Sequence, residues 1–342
     1  MPILLPLLIA LPASALLCWL LLWLSPRLGF IDQPGSQSHK MQKRAVPYGG
    51  GVAMALALTA ALLATCFSGH GQLDQPVLVI LLVAGGLFLL GLIDDIKPLN
   101  PRWKLIIQGV LVALAVGLAD LSVDLVHGWT WLAAFLAFWW CLVLTNAYNL
   151  MDHADGMSGS IAVVSMVVLL ATSLLNNDDS MAMVWLALIG CLVGFLIWNL
   201  PPAKIYMGDA GSLPLGFLIG AGSIHLTFWF SGKADSNPLA VATPLLIAML
   251  PIYDMLVVLV KRHRLQRPLM TGDRNHISHR LSRLGLSARK GLAAAVALQI
   301  ALASGALMLR HSDVLTGIVV LCQALALCLV AALLEANRDR AI

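Results

Sequence analysis

Apolar residues in this chain neither alternate nor mark one stripe of a helix. They come in long runs broken by short polar segments. A helix needs about 20 mainly apolar residues to cross the hydrocarbon core of a bilayer. Eleven runs reach or approach that length: 3–24, 49–68, 76–93, 104–118, 129–146, 160–175, 181–198, 213–230, 239–260, 290–309 and 315–334. In lipid every backbone N–H and C=O must be paired within the segment, which leaves helices as the simplest solution. The pattern therefore predicts an all-α, polytopic integral membrane protein of about eleven transmembrane helices, one membrane-embedded domain over residues 1–342. The first run has no basic leader and no AxA-like exit, so it reads as a span and not as a cleaved signal peptide. No internal repeat stands out among the runs.

Composition sharpens the class. Hydrophobic residues make up 60% of the chain and charged residues 11%, against about a quarter charged in soluble domains. A soluble enzyme is excluded, and nucleic acid is not an expected partner. All six cysteines, Cys18, Cys66, Cys141, Cys191, Cys322 and Cys328, fall inside apolar runs without CxxC spacing. Neither a disulfide framework nor a cysteine metal cluster is indicated.

Charge then orients the spans. Of the 21 Lys and Arg, all but Lys233 and Arg310 fall in one alternate set of loops. Lys and Arg mark the cytoplasmic side, so the N-terminus is expected outside and the C-terminus in the cytoplasm. The polar residues with chemical potential share the basic loops: Asp94-Asp95, Asn149 to Asp155, Asn199 to Ser212, and Asp273 to His279. The opposite loops, 68–75, 119–128, 176–180 and 231–238, read as connectors. A transporter would carry equipment on both sides or at the midplane, and Asp254 is nearly alone inside the spans.

Asn149, Asp152 and Asp155 recur every third residue and share one face in a helix or tight turn. Acceptors so concentrated call for a cation such as magnesium, or for the donor edge of a ligand; a plain polar cap on two helix ends is the bland alternative. Adjacent Asp94 and Asp95 suit a cation or a base, or simply a helix terminus with Lys97 as counter-ion. Around Asp209, Gly208 and Gly211 let backbone approach a ligand, Tyr206 offers a flat face, and Lys204 a phosphate partner. Position 206 excludes the GxGD aspartyl protease motif, which needs Gly there. In the first basic loop Lys40, Lys43 and Arg44 stand near Gly49, Gly50 and Gly51, which suits a polyanion but also ordinary positive-inside charge. The last basic loop holds Arg274, His276, His279 and Arg280, able to chelate phosphate and relay protons; too few ligands lie nearby for zinc. Asp254, after Pro251, either pairs with a polar neighbour or marks a kinked helix.

Taken in order, these motifs resemble the polyprenyl-phosphate N-acetylhexosamine-1-phosphate transferases, the superfamily that includes the peptidoglycan translocase making lipid I. The resemblance spans essentially the whole chain: the basic/Gly first loop, Asp94-Asp95, Asn146-x-x-Asn149-x-x-Asp152-x-x-Asp155-Gly156, Pro202-Ala-Lys204-x-x-Met207-Gly208-Asp209-x-Gly211-Ser212, and Asp273-Arg274-x-His276. It departs at His153, where the family usually has Gly, at Gln42, where many members have His, and at Ser278, the middle His of His-x-His-His. The triple His typical of the lipid I enzyme is absent, which points to the branch using simple UDP-aminosugars.

The resemblance implies transfer of an N-acetylaminosugar-1-phosphate, most simply GlcNAc-1-phosphate, from a UDP-sugar to undecaprenyl phosphate. UMP is released, and a lipid-linked surface glycan such as O-antigen is begun. It implies Mg2+, with Mn2+ able to substitute, held by Asp209 with Asn149 at the metal and diphosphate. Asp94 and Asp95 would orient or deprotonate the prenyl phosphate and, with His276 and His279, carry the catalytic roles. Asp152, Asp155, Asn199 and Tyr206 would hold the uridine and sugar side; Lys40, Lys204, Arg274 and the two histidines would meet phosphates. It implies the lipid bilayer of the bacterial inner membrane, an active face in the cytoplasm, and room for a homodimer. The rival class is a membrane transporter with a cytoplasmic cation site.

Overall fold

The computed structural model describes residues 2–32, 45–123, 129–229, 238–266 and 275–339. They form α1 (Leu5–Arg27), α2 (Gly50–Phe67), α3 (Gln75–Ile96), α4 (Pro101–Leu118), α5 (Thr130–Met151), α6 (Met157–Asn176), α7 (Asp179–Asn199), α8 (Asp209–Ile224), α9 (Thr243–Ile247), α10 (Met249–Arg264), α11 (Ile277–Arg283), α12 (Ala288–His311) and α13 (Val314–Asp339). Among the described residues ten helices are long and apolar enough to cross a membrane, and Pro238–Ile247 with α10 makes an eleventh span bent by 67°. The chain is an all-α, multi-pass membrane protein, as its hydropathy predicts.

α7 and α8 are apolar on every face, so they occupy the centre of the bundle, where nearly all their side chains are buried. α1 lies against α7 through small residues: the Ser14 hydroxyl donates to the Cys191 carbonyl at 2.7 Å. A Cβ on Gly194 would stand 2.5 Å from the Leu11 carbonyl oxygen. Lipid gives helices little hydrophobic reason to associate, so close backbone approach of this kind supplies the packing. Outward faces carry Leu8, Trp23, Leu82, Trp131 and Leu325, the solvent of which is hydrocarbon.

Helix ends differ from the ends of the apolar runs, and the difference places the chemistry. α3 continues past residue 93 to carry Asp94 and Asp95 in its last turn, α5 runs to Met151 with Asn149 on it, and α8 begins at Asp209. A helix ends where its backbone finds caps, not where its side chains turn polar. The polar residues therefore ride on rigid helix ends. At the far end of α8, a π-helical turn at His225–Trp229 interrupts the expected straight span.

Two short strands, β1 (Ile31–Asp32) and β2 (Val46–Pro47), pair antiparallel with Ile31 opposite Pro47. Tyr48 forms a parallel bridge with Tyr206, while the Gly50 and Gly51 amides donate to the Tyr206 and Met207 carbonyls at 2.9 Å. This stitching carries Asp32, Tyr48 and Tyr206 to the same end of the bundle as Asp94, Asn149 and Asp209.

Candidate active site

The last turns of α3 and α5 and the first turns of α4 and α8 converge on Asp209. Asn149 donates its amide N–H groups to Asp209 at 2.7 Å and to the Ser212 hydroxyl at 2.9 Å. The Lys104 ammonium bridges Asp94, at 3.0 Å, and the other oxygen of Asp209. Asp94 also accepts from the Leu99 amide at 2.7 Å. Asp95 accepts from the Asp209 and Ala210 amides, both at 2.9 Å. It thus caps the N-terminus of α8 from a neighbouring helix, where orphan amides and the helix dipole favour a negative charge. Gly91, one turn earlier, makes this approach geometrically feasible: a Cβ there would meet the Asp209 carbonyl oxygen at 2.2 Å.

Two loops close over this centre. Asn199 accepts from the Gly156 amide at 2.9 Å and donates to the Ile205 carbonyl at 2.7 Å, while Asp155 accepts from the Ala203 amide at 2.9 Å. The result is a cavity of about 590 Å³ lined by Asp32, Tyr48, Asp95, Asn149, Asp152, His153, Asp155, Asn199, Tyr206, Asp209, Ser278 and His279, among others. Burial first, then the charges of Asp209, Asp95 and Asp155, hold the Asp152 carboxyl well above its ordinary pKa. The shift is toward the protonated form, in which a carboxyl can donate.

The histidine wall comes from α10, α11 and the α5–α6 turn. Asp254 accepts from His276 Nδ1 at 2.9 Å, the Ile277 amide at 2.6 Å and Arg280 at 3.0 Å. That decides the open question of Asp254: it is paired. His276 stacks on His153, ring centroids 4.1 Å apart, and His279 stands 5.7 Å from His153. Burial of the ring, then its neighbour His276, pull the His153 pKa down to about 3. His153, Asp254 and His276 bring ligand atoms within 4.8 Å of one another. The Arg280 guanidinium already neutralises Asp254, however, so the trio is an ion-paired support and not a metal cage.

Of the residues singled out from sequence, Asp95, Asn149, Asp152, Asp155, Asn199, Tyr206, Asp209 and His279 line the cavity. Asn149, Asp152 and Asp155 do so from a helix end and the turn after it, not from one helix face. Asp94 reaches the centre through Lys104. His276 is buried behind His153, because it caps α11 while His279 lies inside that helix. Lys204 is exposed, its ammonium 5.2 Å from the Trp198 ring. Lys40 and Arg274, with Lys43 and Arg44, lie outside the described residues. Sequence reasoning missed Lys104, Asp32 and Tyr48. Lys104 had a signal: a cation in the first turn of a helix opposes the helix dipole, and it needs an anionic partner to stand there. The loops at the other end of the bundle, expected to be connectors, also wall a cavity of about 770 Å³ containing Asp74, Asp178 and His225.

The donor set fits a divalent cation. Asp209, Asn149 and the nearby carboxylates offer hard oxygen ligands, and the Lys104 ammonium shows that positive charge is held between Asp94 and Asp209.

Fold and site define a polytopic membrane protein with an acidic cleft, bridged by a lysine ammonium and built on helix ends at one end of the bundle. Residues 77–227 match the model of glycosyl transferase family 4. The undecaprenyl-phosphate alpha-N-acetylglucosaminyl 1-phosphate transferase of Thermotoga maritima is 30% identical over 254 residues, covering 74% of this chain and 73% of that protein. The probable undecaprenyl-phosphate N-acetylglucosaminyl 1-phosphate transferase of Bacillus subtilis is 28% identical over 271 residues, 77% of this chain and 72% of the relative. A phospho-N-acetylmuramoyl-pentapeptide-transferase of Staphylococcus epidermidis is 29% identical over 220 residues, 57% of this chain and 67% of the relative. The chain belongs to this family of polyprenyl-phosphate sugar-1-phosphate transferases.

Proposed function

We propose that the chain transfers an N-acetylaminosugar-1-phosphate, GlcNAc-1-phosphate first among candidates, from its UDP-sugar to undecaprenyl phosphate. A prenyl-phosphate oxygen bonds to the β-phosphorus, the bond from that phosphorus to the bridging oxygen breaks, and UMP leaves with the bridging oxygen. The observation that carries this reading is the Asp94–Lys104–Asp209–Asn149 chain of contacts on four helix ends, at the mouth of a cavity in a family of such transferases.

Phosphoryl transfer asks for positioning and charge neutralisation more than covalent protein chemistry. Asp209 with Asn149 would hold Mg2+, or Mn2+ in its place, and the ion would neutralise the diphosphate oxygens. Lys104 supplies a fixed positive charge beside the transferring group. Asp94 orients Lys104, and Asp95 orients the first turn of α8 and with it Asp209, so both act by positioning. Asp152, with Asp155, Asn199 and Tyr206, faces the uridine and sugar. His279 meets phosphate from the far wall, held by the Asp254–His276 pair behind it. The site end faces the cytoplasm of the bacterial inner membrane, consistent with the basic loops.

The transporter reading loses support from the core. Leu144, Trp185, Leu213 and Phe217 are large and fully or almost fully buried in the bundle, where a transport path would need polar lining. The test is direct: purified protein with UDP-GlcNAc, undecaprenyl phosphate and Mg2+ releases UMP and forms a lipid product. Asp209→Ala loses at least about 10³-fold in rate at unchanged unfolding temperature. Full activity of that variant would remove the metal assignment. Absence of UMP release with every UDP-N-acetylaminosugar would remove the function.

A further inference from the structure

His153 has no part in the transfer chemistry above, yet both of its ring nitrogens are engaged. Its Nδ1 lies 2.9 Å from the Leu150 carbonyl oxygen. A carbonyl only accepts, so Nδ1 carries the proton. The ring stacks on His276 at 4.1 Å with 24° between the planes, the Nδ1 of that neighbour faces the Asp254 carboxylate, and burial pulls the His153 pKa down to about 3. His153 is thereby neutral, with Nε2 a lone-pair acceptor. That nitrogen sits 2.5 Å from the Ser278 hydroxyl oxygen. A serine hydroxyl has one hydrogen, and here it points at His153. Ser278, which lines the cavity, turns only lone pairs toward the ligand.

A serine free to rotate would greet a donor or an acceptor equally. This one cannot, and the residue that prevents it comes from a different loop, 125 positions away in sequence. Positions 153 and 278 are also two of the three at which the sequence departs from the pattern it resembles.

Resting on the transferase reading, we propose that His153 is a specificity-determining positioning residue. By fixing Ser278 as an acceptor, it makes this wall of the cavity select an N–H or O–H donor of the substrate's aminosugar over an acceptor in the same place.

The experiment uses the full chain and a panel of UDP-GlcNAc analogues in which one hydroxyl at a time is replaced by fluorine or the amide nitrogen is methylated. The wild type is expected to lose at least about tenfold in kcat/KM on one analogue, the scale of one hydrogen bond with a buried polar group left unpaired. Ser278→Ala and His153→Asn should each erase that discrimination, mainly by raising KM for the parent substrate, with kcat within about threefold. His153→Asn is chosen because its amide still reaches the Leu150 carbonyl but not Ser278. The double variant should be no worse than Ser278→Ala alone. Discrimination intact in His153→Asn, or additive losses in the double variant, overturns the proposal.

A second measurement needs no activity: imidazole 15N shifts of the wild type, with His153 identified as the ring that Ser278→Ala perturbs. A proton on Nδ1 with an accepting Nε2 is expected. A proton on Nε2 overturns the proposal even if transfer is observed. A protein that transfers nothing but shows the Nδ1–H tautomer instead condemns the functional reading.

Discussion

Lys104→Met removes one positive charge from the centre of the site and keeps most of the stem. The ammonium is shared by Asp94 and Asp209, with side chains 16%, 17% and 24% exposed for Lys104, Asp94 and Asp209. Breaking a fully buried pair costs about 3–5 kcal/mol, and an exposed pair is worth about 0–1 kcal/mol. A site this closed but still wetted should fall between, at about 2 kcal/mol. That energy acts on two observables in opposite directions. The carboxylates left uncompensated bind a divalent cation more tightly, so the half-activating Mg2+ concentration should drop by about 30-fold, at 1.4 kcal/mol per decade. Turnover should nevertheless fall about 10²–10³-fold, because a fixed charge beside the transferring phosphoryl group is gone. The assay is initial UMP release against Mg2+ concentration with both substrates saturating, with Lys104→Arg as the charge-retaining control. Unfolding temperature checks that the variant is folded. A folded Lys104→Met protein with an unchanged Mg2+ midpoint would refute competition for Asp209; turnover within threefold of wild type would refute the catalytic role.

Asp95→Asn leaves one side-chain oxygen where two carboxylate oxygens each accept an amide and should destabilise the protein by about 1–3 kcal/mol, read as a lower unfolding temperature; an unchanged temperature would show that α8 does not need this cap. Gly91→Ala drives a Cβ to 2.2 Å from the Asp209 carbonyl oxygen and should displace the start of α8, with activity falling more than stability, while Gly85→Ala, with nothing within 4 Å, should stay within about 0.5 kcal/mol of wild type. Because the Asp152 pKa is raised, the donor that its protonated carboxyl offers is present at low pH and lost as pH rises through that pKa. Asp152→Asn should keep more activity than Asp152→Ala near neutrality and flatten the alkaline fall in kcat/KM; an unaltered pH profile would assign that fall to another group.

The span pattern was legible because lipid imposes one rule on every helix, and the acidic motifs because carboxylates at a membrane boundary are costly without a purpose. What escaped was the partnership between distant residues. Lys104 looked like one more positive-inside charge; its place in a first helical turn asks for an anion, but nothing in its own segment says that the anion is Asp209, 105 positions along the chain. Asp95 looked like a second copy of Asp94. Their fates divide because neighbours on a helix point about 100° apart, one toward α4 and the other into the first turn of α8. His276 and His279 looked equivalent at a helical spacing. But helix α11 starts between them, so one is drawn down to Asp254 and the other faces the cavity. In each case the local pattern shows a chemical group, and the packing of another helix decides what that group touches. Those helix ends also explain why the site can be strongly acidic without unfolding the bundle. Each carboxylate of the central set is tied to an amide or to Lys104 before any ligand arrives. A cation entering the cleft therefore competes for formed contacts, and its affinity should be set by what it displaces as much as by the oxygens it finds.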